Sequence, residues 1–162
     1  MCIRDSSYFE LLVDETIDGR TSLLNEACGV FCGFALDTAN DRLALFTDYL
    51  GFRQIFLFKT QKGFIFSNAL WLIEQILPKN TPFDEMAVIE IGVLGHPLEN
   101  RTRRKGVTLL PPGCLLTVDE TGIQSCSEYC NITETAPVTL DEEEALEAVS
   151  YTHLTLPTSD LV

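Results

Sequence analysis

The feature that most constrains this chain is a set of four strand-like runs, 30–37, 42–47, 54–59 and 64–67, that are apolar on both faces. In an antiparallel sheet with one wet face, apolar and polar residues alternate, because successive side chains point to opposite sides. Here they do not. Phe31 and Ala35 share one face of the first run, while Val30, Cys32 and Phe34 share the other. Ile55 and Leu57 oppose Phe56 and Phe58 in the third run, and Phe64 and Phe66 flank Ile65 in the fourth. The links are short: 38–41 suits a hairpin, 60–63 suits a turn, and in Asp48-Tyr49-Leu50-Gly51 the glycine is free to take a positive φ. The pattern predicts a four-stranded antiparallel meander that must be covered on both sides.

Helices supply one cover. Residues 68–77 carry Leu70, Ile73, Ile76 and Leu77 at helical spacing and stop before Pro78. Residues 84–94 start at Asp84 as N-cap, with Phe83 and Val88 as a hydrophobic staple, and end at Gly95. Farther on, Leu110-Pro111-Pro112-Gly113 is a rigid turn into a hairpin of 114–119 and 123–127 around Glu120-Thr121-Gly122. A second sheet is the expected cover for the remaining face, which makes the fold α+β: an antiparallel meander with flanking helices in a helix–sheet–sheet–helix sandwich. That sheet is expected to be incomplete. Four to six apolar side chains left without a partner layer would forgo on the order of 10 kcal/mol. The isolated chain is therefore expected to be aggregated, molten or paired through its bare face as a homo-oligomer.

The ends differ from the middle. Thr139 and Glu142 have capping-box spacing, and Ala145, Leu146 and Val149 begin an apolar helical stripe. After Val149 the pattern breaks, and 150–157 alternates like a strand into Pro157. Residues 1–6 and 150–162 resemble read-through of sequencing linker, which leaves 7–138 as the main domain and 139–149 as the start of a linker helix.

Charge and cysteine usage narrow the function. With 11 Lys plus Arg against 24 Asp plus Glu, the net charge is -13, which disfavours nucleic acid and anionic membrane as partners. No apolar run is long enough to span a bilayer, and 1–10 lack the apolar centre of a signal peptide, so a cytoplasmic location with reduced thiols is expected. Cys28/Cys32 and Cys126/Cys130 share a C-x-x-x-C spacing, yet His96 and His153 are the only histidines. Inert thiols are the expected reading and no metal ligand is assigned; a zinc module built on those four cysteines, or an acidic binding module, is the alternative from another class. Arg101, Arg103, Arg104 and Lys105 are expected to form a solvated loop, and His96 is a loop residue. Asn131-Ile132-Thr133 fits a glycosylation acceptor without a secretion signal to use it.

Four segments resemble class II glutamine amidotransferase domains in order and spacing. Gly29-Val30-Phe31-Cys32-Gly33-Phe34-Ala35-Leu36-Asp37 resembles the family's G-M-F-A-F-A-x-x-D strand, and Thr47-Asp48-Tyr49-Leu50-Gly51-Phe52-Arg53-Gln54-Ile55-Phe56 its R-D-x-x-G-x-x-P-L-Y-Y segment. Phe66-Ser67-Asn68-Ala69-Leu70 is similar to F-A-S-E-x-K-A-L, and Gly106 through Leu109-Leu110-Pro111-Pro112-Gly113 to G-I-x-x-L-P-P-G. Together they are similar to glutamine-hydrolysing asparagine synthetases over most of 28–149. Thr47, Gln54 and Asn68 stand where the family has Arg, Pro and Glu, which keeps a related amide- or lactam-forming synthetase, with this domain as scaffold, as an alternative.

The resemblance implies the later part of an N-terminal-nucleophile domain that releases ammonia from glutamine. It also implies a second domain that uses ATP and magnesium to activate aspartate for amidation. It marks Asp48, Gly51, Arg53, Pro112 and Gly113 as structural motif residues. It assigns no catalytic or substrate-binding residue here. Cys2 would be exposed by methionine removal, but Ile3-Arg4-Asp5-Ser6 does not match the family's Gly-Ile continuation, and no Asn-Gly pair or S-G-G-x-D-S loop occurs.

Overall fold

The four apolar runs do not form one meander. In the computed structural model, which describes residues 6–61, 63–130 and 141–147, they separate into two hairpins that belong to different sheets. Strands β1 (Cys32–Asp37) and β2 (Arg42–Thr47) pair antiparallel from Cys32↔Thr47 to Asp37↔Arg42. The other edge of β2 pairs with β6 (Cys114–Asp119), and β6 with β7 (Gly122–Glu128), giving the order β1-β2-β6-β7. Strands β3 (Phe56–Thr60) and β4 (Gly63–Ser67) form the second hairpin, extended by β5 (Val107–Leu109) to the order β4-β3-β5.

This split is how the chain satisfies strands that are apolar on both faces. Leu45, Ile55, Leu110, Cys114 and Leu116 form a core between the sheets, with Leu57, Phe64 and Phe66 packed against it. On the outer face of the first sheet, Leu12 of α1 (Ser6–Ile17) and Leu24 of α2 (Ser22–Glu26) pack against Ala35, Ala44, Phe46 and Leu115. On the outer face of the second, Ile73 of α3 (Leu70–Ile76) packs with Leu77 and Val107 against Phe56 and Phe58. The described residues are thus α+β, layered helix, sheet, sheet, helix. The expected bare sheet face is corrected: this chain supplies the second sheet itself. Phe34 and Leu36 on edge strand β1 nevertheless remain more than half exposed.

Helices α1 and α2 carry no sequence expectation. Tyr8, Leu12 and Thr16 recur every four residues on the buried side of α1, and Thr16 Oγ1 donates to Leu12 O at 2.8 Å. Glu15 holds α2 in place: its carboxylate accepts from Ser22 Oγ and, at 2.7 Å, from Leu23 N.

Gly33 lies opposite Phe46, and a Cβ there would stand 2.5 Å from the tip of the buried ring. Gly33→Ala should therefore cost ~1–3 kcal/mol by overpacking, and adding Phe46→Leu should recover part of it; urea melts of the single and double variants measure both.

Helix α4 (Glu85–Leu94) is bounded as its caps predict. Asp84 accepts from Ala87 N at 3.2 Å, and Gly95, at φ 83, donates to Ile91 O. Phe83 lies 3.9 Å beneath the Arg104 guanidinium. The basic loop is not a freely solvated one, which is a second correction. Arg103 and Arg104 both reach Glu74 on α3, at 2.6 and 3.1 Å, and Arg101 reaches Glu90 on α4 at 2.6 Å. Hydrogen bonding from Arg103 holds the Glu74 carboxyl below its usual range. The folded state therefore gains from this group at neutral pH and loses that gain as pH falls through the depressed folded value. With Arg103 about half exposed, the gain is at most ~1 kcal/mol. Urea midpoints measured through the acid range should fall less steeply for Glu74→Gln than for the parent chain.

The chain divides into two units, Met1–Asn131 and Ile132–Val162. In the second, residues 142–147 are helical. Their cap is a reciprocal box between Asp141 and Glu144, not one built on Glu142: Asp141 Oδ1 accepts from Glu144 N at 2.9 Å and Glu144 Oε2 from Asp141 N at 3.3 Å. Asp141 is itself the N-cap because its short carboxylate reaches the free N–H groups of the first turn. Thr139, the Asn131 acceptor, the expected boundary at 138, Cys2 and the tail 150–162 lie outside the described residues. Among the described residues no helix is long and apolar enough to cross a membrane.

Candidate functional site

The chain crosses from the first sheet to the second at 48–55, and the crossing is organised by one buried carboxylate. Asp48 is 1 % exposed. Its Oδ1 accepts from the N–H groups of Leu50 and Phe52, both at 3.1 Å, and its Oδ2 from Phe31 N at 3.2 Å and Arg53 N at 3.1 Å. Its own N–H donates to Phe31 O at 2.9 Å, and its carbonyl accepts from Gly51 N at 3.0 Å and Gly113 N at 2.8 Å. A single aspartate thus closes the turn, anchors the entrance to β1 and receives the Pro-Pro-Gly corner.

The neighbours follow from that geometry. Gly51 has φ 64, and a Cβ on it would lie 3.0 Å from Pro112. Gly113 has φ 55, and a Cβ there would lie 3.1 Å from Cys130 O. Both positions therefore need glycine, for conformation and for close approach. Thr47, wholly buried, donates through Oγ1 to Pro111 O at 2.6 Å and accepts from Cys114 N at 3.3 Å. Tyr129 closes the far side, donating its phenol proton to Thr47 O and its N–H to Gly113 O at 2.7 Å. Burial pushes the Tyr129 phenol up, so it stays protonated as this donor.

Of the residues singled out in the sequence, Asp48, Gly51, Pro112 and Gly113 meet in this knot. Arg53 joins it only through its N–H, while the residue as a whole is exposed. Thr47 and Tyr129 were not anticipated as members. The usable signal for Thr47 is a lone hydroxyl that ends the apolar run Leu43–Phe46, directly before the aspartate.

Beside the knot, a cleft of 320 Å³ opens between Cys32 and Phe34 on β1 and Ile55, Phe66, Ser67 and Asn68. The Phe34 and Phe66 rings meet edge to face at 5.6 Å on its wall. Its polar groups are a thiol, a hydroxyl and an amide. Ser67 Oγ already accepts from Ala69 N at 3.0 Å. Burial raises the Cys32 thiol, with the Arg53 charge opposing, so the sulfur is held as a thiol. Among the described residues no carboxylate or imidazole lines this cleft to serve as a base. The arrangement can shape a cavity but does not assemble a nucleophile with its base.

Among the described residues Cys28, Cys32, Cys126 and Cys130 do not form a zinc ligand set. Among the described residues no group of three or more His, Cys, Asp or Glu side chains is placed to hold a metal ion. Cys126 faces Cys114 across β6 and β7, with the sulfurs 2.8 Å apart.

No protein-family model matches this chain, and no curated protein matches it either.

Proposed function

We propose that this chain is the later part of a glutamine amidotransferase domain with the N-terminal-nucleophile sandwich, from an asparagine-synthetase-like protein of the cytoplasm. In that protein glutamine hydrolysis supplies ammonia for ATP-dependent amidation of aspartate, and the present chain contributes scaffold. One observation carries the reading: three of the four segments that bear the resemblance converge on Asp48. Phe31 comes from the first segment, Asp48, Gly51 and Arg53 from the second, and Gly113 from the fourth. The third segment supplies Phe66, Ser67 and Asn68 to the adjoining cleft. Motifs that were coincidental would have no reason to meet. The layer order helix, sheet, sheet, helix agrees with the sandwich the resemblance implies.

The described residues do not fit ATP or magnesium, since no donor set converges and the sequence has no Gly-rich phosphate loop. Those groups belong, in this reading, to a separate synthetase domain. Glutamine and aspartate are the small molecules the whole protein would take, and copies of this chain pair through α4. Ammonia release from glutamine by this chain and by Cys2→Ala tests the scaffold assignment: no Cys2-dependent release is expected, and a Cys2-dependent rate would overturn it. The family assignment is tested by the native gene. A Cys-Gly-Ile start upstream and an S-G-G-x-D-S loop downstream are expected; a gene with neither would refute it.

A further inference from the structure

Strands β6 and β7 place two sulfurs in contact at the edge of the first sheet. In their register Cys114 is opposite Glu128 and Leu116 is opposite Cys126, so the two cysteines are diagonal neighbours on one face. Their sulfurs, 2.8 Å apart, need to close by less than about 1 Å to reach the ~2.05 Å of a bond. Access to them is unequal. Cys114 is wholly buried in the core between the sheets, whereas Cys126, on edge strand β7, is exposed. Among the described residues no other pair of cysteine sulfurs is in contact.

We propose that Cys114 and Cys126 are a dithiol oxidised by peroxides, in which Cys126 meets the oxidant and Cys114 resolves the product into a disulfide. The inference is independent of the proposed function. In the first step the Cys126 thiolate attacks one oxygen of hydrogen peroxide. The S–O bond forms, the O–O bond breaks, and the departing hydroxide takes a proton to become water. The sulfenic acid then stands beside Cys114. The Cys114 sulfur attacks it, the S–S bond forms, the S–O bond breaks, and hydroxide leaves with the Cys114 proton as a second water. Two thiols are oxidised by two electrons and one peroxide is reduced.

The surroundings divide these roles between the two residues. Hydrogen bonding from Cys114 lowers the Cys126 thiol to about 7, against burial and the Glu128 carboxylate, which raise it. The same contact, then burial, pushes the Cys114 thiol up. The accessible sulfur is therefore the readier of the two to act as a thiolate, and the inaccessible one keeps the proton it will give up.

The test uses the whole chain, reduced, treated with hydrogen peroxide in native buffer, alkylated and cut by glutamyl endopeptidase. Cleavage after Glu120 and Glu128 separates all three carboxy-terminal cysteines, Cys114, Cys126 and Cys130, into different peptides. The expected product is a peptide pair joined through Cys114 and Cys126 that dithiothreitol releases. Before oxidation, Cys126 should alkylate at pH 7 several-fold faster than Cys114, which is buried and keeps its proton. Cys114→Ala should stop at a Cys126 sulfenic acid that dimedone traps. Cys126→Ser, a change at an exposed site, should leave Cys114 reduced with at least about a tenfold slower loss of its thiol. The same treatment in guanidinium should lose the preference and favour Cys126 with Cys130, its neighbour in sequence. The proposal fails if native peroxide joins Cys126 to Cys130, leaves Cys126 a thiol, or gives the same products folded and unfolded.

Discussion

Asp48→Ala is expected to remove a large share of the stability of this chain. The substitution leaves the N–H groups of Phe31, Leu50, Phe52 and Arg53 without their acceptor. Hydrogen bonds to a charged group contribute ~1.5–3 kcal/mol each, and a buried donor left unpaired costs ~1–3 kcal/mol. Leu50, Phe52 and Arg53 sit in a turn that water can reach once the carboxylate is gone, so the four losses do not add in full. A loss of ~3–6 kcal/mol is the reasonable sum, against ~5–15 kcal/mol for a whole domain. Asp48→Asn discriminates charge from shape. One amide oxygen can still accept, but the amide nitrogen points a donor at the remaining N–H groups, and the expected loss is about half as large. Urea titrations followed by circular dichroism would read both variants. An Asp48→Ala midpoint equal to that of the parent chain would mean the turn is held by something other than this carboxylate.

What could be read from the sequence is explained by the range of the forces involved. The caps of α4 were legible because Asp84 and Gly95 act on the first and last turn of their own helix. The hairpins β1–β2, β3–β4 and β6–β7 were legible for the same reason, since each is closed by a short link. Which hairpin joins which sheet was not. An apolar face specifies that something must cover it and says nothing about what, so the short link at 48–51 points to a β2–β3 pair, whereas the actual partner, β6, follows β2 by more than sixty residues. Strand β5 leaves no pattern in the sequence because three residues are too few to show a period. At the knot, Asp48, Gly51, Pro112 and Gly113 stand out by resemblance, whereas Thr47 stands out only as a departure from the family's arginine. Its burial and its bonds to Pro111 and Cys114 show it as a working member of the knot in this chain.

Helix α4 is the strongest reason to expect pairing between copies. An amphipathic helix buries one stripe and wets the other, while a helix that is apolar on all sides must be enclosed. Only Ala87 and Glu90 of α4 are buried; Met86, Val88, Ile89, Ile91, Val93 and Leu94 are exposed, as is Leu98 just beyond its end. A standard interface takes ~800 Å² from each partner, and a second copy seated on this helix would cover the Ile89 and Val93 side of it. Charge on the helix does not oppose self-pairing, because Glu90 is matched by Arg101 and Glu85 is the only other ionised group. The net charge of -13 does oppose it at long range. Added salt should therefore strengthen association by screening that repulsion without touching the apolar contact. The chain is expected to sediment as a dimer at micromolar concentration, more completely at high salt. Ile89→Lys with Val93→Lys places two charges one turn apart on α4. Since each buried aliphatic side chain is worth ~1.5–3 kcal/mol and a symmetric pair uses both copies, the dissociation constant should rise by at least about 100-fold. A parent chain that stays monomeric at tens of micromolar in high salt, or a doubly substituted chain that dimerises equally well, would leave α4 without the partner assigned to it.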